Sequence, residues 1–129
     1  MNGYKKVARL LKALSHPTRL QILETLREEG EACVCHLEQR LGQRQAYISQ
    51  QLAKLREVDL VSDRRDGLNV YYAAADDGID DLIQDARNLA VAIAQRDGVV
   101  LEFEAQRSID ADPCSCPRCK KEPIISQTN

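Results

Sequence analysis

Residues 34–58 read VCHLEQRLGQRQAYISQQLAKLREV and decide the fold of the chain. The first part, 34–41, is a short amphipathic segment that Gly42 brings to an end. The second part, 44–58, has its aliphatic residues on one helical stripe and polar residues elsewhere. That stripe consists of Ile48, Leu52 and Leu55. Two helices separated by a tight turn with a glycine are the outline of a helix-turn-helix.

The next stretch, 60–72, reads LVSDRRDGLNVYY and predicts a β-hairpin. Asp66-Gly67 separates two β-prone runs, 60–65 and 68–72, which is a strong hairpin signal. A hairpin that directly follows a helix-turn-helix makes a winged helix. In that arrangement the second helix can enter the major groove of DNA while the hairpin tip reaches neighbouring phosphates.

Helical segments flank this unit on both sides. Upstream, 4–14 and 17–29 carry aliphatic residues at the helical period. Downstream, 79–95 carries an apolar face that is long for so small a core. We therefore expect a mainly α fold with a β-hairpin wing, a winged helix-turn-helix whose dimer is formed by the first and last helices. The alternative is that the last helix packs wholly within its own protomer.

Two parts of the chain differ in pattern. Residues 1–97 form the predicted winged helix-turn-helix domain for DNA binding and dimerisation. Residues 98–129 form a C-terminal extension with a cysteine cluster. Within the extension, 99–103 fits either a strand or a continuation of the helix after a break, and from 108 onward no periodicity remains.

Overall composition excludes several classes of protein. The chain has 129 residues, of which 43% are hydrophobic and 4% aromatic, so aliphatic side chains must fill one modest core. The longest apolar run, 89–94, is far too short to cross a bilayer, and the N-terminal stretch lacks a signal-peptide pattern. A net charge of −2 excludes a uniformly basic coat for nucleic acid. We expect a cytoplasmic protein.

Charge is nevertheless distributed in a way that suits DNA. The segment 43–65 holds five basic and three acidic residues, and two adjacent arginines stand beside the hairpin turn. Cationic side chains bind phosphates, while amides and hydroxyls on a helix surface read base edges. The predicted DNA-binding residues are Arg44, Gln45, Tyr47, Ser49, Gln50, Gln51, Lys54, Arg64 and Arg65. The alternative is a solvated helix beside an ordinary charged hairpin.

Five cysteines form two clusters. Cys33 and Cys35 lie at the start of the predicted third helix, and Cys114, Cys116 and Cys119 lie in the extension. Closely spaced thiols in a cytosolic protein more often bind metal or do redox chemistry than form disulfides. We predict that all five are metal ligands: three thiolates suit As(III), Sb(III) or Pb, and four suit Zn or Cd. The alternative for Cys33 and Cys35 is that they are two small buried hydrophobic residues. The alternative for the other three cysteines is that they lie on an unattached tail.

Several motifs, in the right order, resemble the ArsR/SmtB family of metal-sensing repressors. LKALSHPTRLQIL at 11–23 resembles the opening of that family, 45–55 resembles its recognition helix, and 60–61 with 65–72 resembles its wing. EACVCHL at 31–37 is similar to the ELCVCDL segment of the arsenic-responsive branch. The resemblance implies a homodimeric repressor that is not an enzyme. It implies binding to double-stranded operator DNA without a cofactor, and release by As(III) or Sb(III).

Two positions depart from the family pattern. Many relatives carry His where this chain has Gln51, although an amide can still hydrogen-bond a base edge or a phosphate. Glu38 stands where the arsenic-responsive branch often has a third Cys. We therefore expect the cysteines of the extension, from the same protomer or its partner, to supply the missing thiolate.

Helical geometry predicts how such a ligand acts. If Cys33 and Cys35 both lie in a helix, their side chains point about 200° apart. One small ion then reaches both thiols only if the start of that helix is distorted. The sequence leaves other functions open: a Cd-, Pb- or Zn-responsive repressor, a thiol-redox or persulfide sensor of the same fold, a thiol enzyme or metal carrier, and a protein-interaction module.

Overall fold

The computed structural model describes residues 1–103 of the chain. Within them, five helices accompany a small antiparallel sheet of three strands, and the predicted winged helix-turn-helix is confirmed. In chain order the elements are α1 (Gly3–Leu14), α2 (Pro17–Glu29), β1 (Ala32–Cys33), α3 (Val34–Leu41), α4 (Gln45–Glu57), β2 (Val61–Asp66), β3 (Asn69–Ala74) and α5 (Asp77–Arg96). No helix in this part of the chain is both long and apolar enough to span a membrane.

Aliphatic side chains fill the core, as the composition predicts. The largest completely buried side chains come from α2, α3 and α4: Ile22, Leu26, Leu37, Ile48, Leu52 and Leu55. Burying one side chain of this size contributes about 1.5–3 kcal/mol. Helix α2 packs against α1, α3, α4, α5 and β3, so it is the central element around which the others are arranged.

Local signals set the ends of the helices. Pro17 opens α2, where its fixed φ suits the first helical position. Gly42 follows α3 in the left-handed conformation, with φ 64°, which a side chain would disfavour. The predicted bounds of α2 and α3 are confirmed to the residue, and those of α1, α4 and α5 differ by one or two residues at an end.

The hairpin turn lies one residue later than predicted. Asp66 pairs with Asn69, so the two-residue loop is Gly67-Leu68 and not Asp66-Gly67. Gly67 takes a positive φ of 62° at the first loop position, which is where a two-residue loop of type II′ needs glycine. The register that results pairs Arg64 with Tyr71.

Strand β1 is an element that the sequence analysis missed. Ala32 pairs with Tyr72 and Cys33 with Tyr71, so the sheet order is β1-β3-β2. Cys33 has extended backbone angles and caps α3, while Cys35 lies inside its first turn. The premise that both thiols lie in one helix is therefore wrong, because pairing with β3 holds Cys33 in a strand.

The outer apolar faces of α1 and α5 are left exposed by the other residues in 1–103. Ile79 and Ile83 of α5 are buried, whereas Leu89 is 60% exposed and Ile93 48% exposed. On α1, Tyr4, Val7 and Leu11 are also exposed. Residues 1–103 thus do not cover the whole apolar face of α5. Beyond it, 99–103 forms neither a strand nor a helix, so both alternatives for that segment are wrong.

Candidate nucleic-acid interface and thiol site

Most of the predicted DNA-binding residues on α4 lie on its exposed side. The cap residue Arg44 and four helical residues are exposed: Gln45, Ser49, Gln50 and Lys54. Lys54 forms a long ion pair with Glu57, with 3.9 Å between Nζ and Oε1. The apolar stripe of the same helix faces the core, so its polar residues are left on the surface. Their contact with DNA stays a prediction.

Tyr47 is half-buried and joins α4 to the start of α2. Its hydroxyl lies 3.2 Å from His16 Nε2 and 3.5 Å from Thr18 Oγ1. These hydrogen bonds fix the position of the ring, and with it the N-terminal part of α4. These contacts give Tyr47 a structural role, and its role in DNA binding stays a prediction.

Gln51 requires a correction to the predicted DNA surface. Its side chain is buried, with 7% exposed, and Arg19 Nε donates a hydrogen bond of 2.8 Å to its Oε1. Arg19 Nη1 also donates to the carbonyl oxygen of Ala13, at 3.1 Å. Gln51 is thus engaged inside the protein, where it helps position α4, and it is not presented to DNA. No local pattern predicts this role for Arg19, because its partner lies 32 residues away.

The two wing arginines have different surroundings. They are neighbours on a strand, so their side chains leave opposite faces of the sheet. Arg64 donates to Glu31 from Nε at 2.9 Å and from Nη2 at 2.5 Å, and its guanidinium lies 4.7 Å from the centre of the Tyr71 ring. The hydrogen bonds to Glu31 raise the pKa of Arg64 above its ordinary value. Arg65 forms no ion pair with any residue in 1–103.

The described thiols lie where β1 meets α3. Cys33 is 6% exposed and packs on Tyr71, with Cys35 partly buried beside them. The Cys33 sulfur accepts a hydrogen bond from the backbone N–H of His36, with 3.4 Å between Sγ and N. Neither thiol forms a disulfide within residues 1–103. The predicted ligands Cys114, Cys116 and Cys119 lie outside the described residues.

Two thiols alone do not complete a metal site. Within residues 1–103 there is no group of three or more His, Cys, Asp or Glu side chains placed to hold a metal ion. The donor chemistry of Cys33 and Cys35 fits a thiophilic ion. Within this part of the chain they supply two of the three thiolates that a pyramidal As(III) or Sb(III) centre would need.

Ion pairs hold the far end of α2 near the thiols. Arg40 of α3 binds Glu28 and also donates to Glu29 at 2.8 Å, and His36 Nε2 lies 3.4 Å from Glu29. Phe103 lines the same small surface pocket as Arg40. The guanidinium of Arg87 lies 3.9 Å from the centre of the Phe103 ring, and the other residues of the pocket come mainly from α2, so the chain leaving α5 returns toward α2 and α3.

Comparison with known proteins identifies relatives of this chain. The model of the family described as bacterial regulatory protein, arsR family, matches residues 16–63. An uncharacterised HTH-type transcriptional regulator of Methanocaldococcus jannaschii is 37% identical over 84 residues, which are 65% of this chain and 94% of that protein. The arsenical resistance operon repressor of Escherichia coli K12 is 49% identical over 63 residues, covering 49% of this chain and 54% of the repressor.

Solved structures agree with the sequence relatives. One is the solution structure of a homodimeric winged helix-turn-helix DNA-binding domain from Mycobacterium bovis, described as a possible ArsR-family transcriptional regulator. It is 31% identical, with a TM-score of 0.61, and the match covers 78% of this chain and 90% of that one. The similarity therefore extends over nearly the whole of the described fold.

Proposed function

This chain belongs to the ArsR/SmtB family of transcriptional repressors, and from that membership we propose that it is a homodimeric repressor whose DNA binding ends when As(III) or Sb(III) binds its thiols. The observation that carries the proposal is a direct structural connection. The thiol-bearing end of α3 and the exposed polar face of α4 belong to helices that pack on each other. A ligand that moves the start of α3 therefore acts on the helix that meets DNA.

The exposed surfaces support DNA binding by a dimer. The polar residues of α4 supply base-reading groups, and Arg65, which has no ion pair with residues 1–103, supplies a phosphate-binding group. The apolar faces of α1 and α5 supply a surface that a second copy of the chain covers. A two-fold dimer presents two α4 helices to two half-sites, so the operator is expected to be two-fold symmetric.

The C-terminal cysteines supply the ligands that the described residues lack. Ten residues separate Phe103 from Cys114, and the eleven Cα–Cα steps between the two allow a reach of about 36 Å for extended chain. From Arg40, beside Phe103, to Cys33 at the start of α3 is about 10 Å along the helix. The connecting chain is therefore long enough for a C-terminal cysteine of the same protomer to join Cys33 and Cys35. The proposed site does not require a cysteine from the partner protomer.

Release follows from what a ligand does at the junction of β1 and α3. Binding of one ion by both thiols competes with the hydrogen bond from His36 N–H to Cys33 and draws a strand residue and a helical residue together. The conformation that binds the ion differs from the one that fits the operator. By thermodynamic linkage, DNA weakens ion binding by the same factor as the ion weakens DNA binding.

Titration of a protein–operator complex tests the proposal. A labelled operator, selected from a random duplex pool, is bound by the full chain under strict reduction, and its anisotropy is followed as As(III), Sb(III), Cd, Pb or Zn is added. Release by As(III) or Sb(III) at the lowest concentrations is the expected result. Release by Cd, Pb or Zn at lower concentrations would identify one of those ions as the inducer. Release only on oxidation or persulfide treatment would indicate a redox sensor. Failure to select any duplex would contradict DNA binding itself.

A further inference from the structure

Three residues form one row across the sheet, from the thiol edge to the wing. Cys33 of β1 pairs with Tyr71 of β3, which pairs with Arg64 of β2. Directly opposed residues of antiparallel strands project from the same face, so the thiol, the ring and the guanidinium share one side. Tyr71 is only 3% exposed, since its neighbours cover it. Glu31, two residues before Cys33, binds the guanidinium from the other end of this row.

The Glu31 carboxylate occupies the part of Arg64 that recognises phosphate. Two N–H groups of one guanidinium edge, Nε and Nη2, both donate to it. Arg binds carboxylates and phosphates through this same two-pronged geometry. A guanidinium engaged in this way cannot bind a DNA phosphate through that edge at the same time.

Arg65 provides an internal comparison. It lies on the same strand and one residue from Arg64, but it projects from the other face and has no ion-pair partner among residues 1–103. The wing therefore carries one arginine that is available to phosphate and one that is already bound.

We propose that Glu31 is a positioning residue that competes with DNA phosphate for Arg64 and so restrains the wing from the thiol edge. This inference rests on the proposed DNA binding. A phosphate that binds the Arg64 edge displaces Glu31 from it. Because Glu31 leads directly into β1 and Cys33, the exchange joins the state of the wing to the strand that carries the first thiol.

A double-mutant cycle tests the proposal with the full chain and the selected operator. Glu31→Gln keeps the size of the side chain and removes its charge. We expect it to tighten operator binding and to steepen the salt dependence by about one phosphate contact. Between 50 and 200 mM salt, one contact changes affinity by about threefold, which sets the scale of the effect. In the Arg64→Ala background the gain should vanish, and in the Arg65→Ala background it should persist.

The outcomes separate this inference from the proposed function. If the parent protein binds no duplex, the proposed function fails. If the parent binds and Glu31→Gln binds no tighter, only the competition is wrong. The competition is also wrong if Glu31→Gln gains equally in the Arg64→Ala background, because removal of a nearby negative charge then accounts for the gain. Should Glu31→Gln unfold, Arg64→Lys provides a second test. Its ammonium keeps the charge without the two-pronged geometry, so it should loosen the hold of Glu31 and steepen the salt dependence, and an unchanged slope contradicts the competition.

Discussion

The two ends of helix α2 hold their neighbours in different ways. At its N-terminal end, His16, Thr18 and Arg19 bind the side chains of Tyr47 and Gln51 on α4 through part-buried hydrogen bonds. At its C-terminal end, Glu28 and Glu29 bind α3 through ion pairs that are partly exposed. Just beyond this end comes β1, which has only two residues.

This difference separates a fixed surface from a responsive one. Breaking the hydrogen bond from Arg19 leaves the buried Gln51 amide without that partner, so the N-terminal contacts resist change. Partly exposed ion pairs contribute little, and a two-residue edge strand has few bonds to lose, so the thiol edge can rearrange at low cost. Helix α4, which we propose meets DNA, is thus held firmly, and the segment that carries the two described thiols is held loosely.

The largest expected effect comes from removing a thiol at the loosely held edge. Cys33→Ser or Cys35→Ser should abolish release by As(III) while operator binding in the reduced protein stays at the parental level. Each thiol acts as a ligand, and neither is needed to contact DNA. Anisotropy of the labelled operator during As(III) titration measures both properties. Loss of operator binding in the ion-free variant would instead assign the residue a structural role.

Removing the C-terminal thiols should have a somewhat smaller effect. Truncation after Pro113 leaves Cys33 and Cys35 but removes Cys114, Cys116 and Cys119. Inducer binding should weaken by orders of magnitude, because a tethered third thiolate is present at high effective concentration and a free one is not. Thiolate charge-transfer absorbance reports the binding. Replacing the same three cysteines by Ser in the full chain is the matched control, and unchanged affinity in both variants would show that two thiols suffice.

The firmly held end is tested by removing Arg19. Arg19→Ala leaves the buried Gln51 amide without its partner, which should cost about 1–3 kcal/mol of unfolding free energy. Operator affinity should fall as well, because α4 loses a contact that positions it. Urea unfolding and anisotropy measure the two effects. Gln50→Ala, which changes an exposed neighbour of Gln51, should leave stability within about 0.5 kcal/mol. Equal stability of the two variants would remove the distinction drawn between the ends of α2.

The smallest effect is expected at the C-terminal end of α2. Arg40→Ala removes the ion pairs to Glu28 and Glu29, which lie near the surface and should contribute only about 0–1 kcal/mol. Operator binding should stay near the parental value. Urea unfolding at low and high salt measures the contribution. A loss as large as that for Arg19→Ala would mean that the thiol edge is as firmly held as the DNA-binding helix.

The candidate site shows how far reasoning from sequence extends. The exposed positions of α4 follow from its apolar stripe, since burying Ile48, Leu52 and Leu55 turns Ser49 and Gln50 outward. The same stripe does not reveal that Gln51 is buried, because that depends on Arg19 from another helix. The one-residue difference in the wing turn also matters, because it places Arg64, and not Ser62, directly opposite Tyr71.

What the sequence determined by itself is the set of elements whose signals lie within a few residues. Pro17 and Gly42 set helix ends through their own backbone preferences, and the period of the aliphatic residues sets the helical faces. Only the tertiary structure decided that Cys33 lies in a strand and that Arg64 is bound. Cys33 is extended because it pairs with Tyr71, and Arg64 meets Glu31 across 33 residues of chain. Such pairings depend on the whole fold bringing distant segments together, and no local preference encodes them.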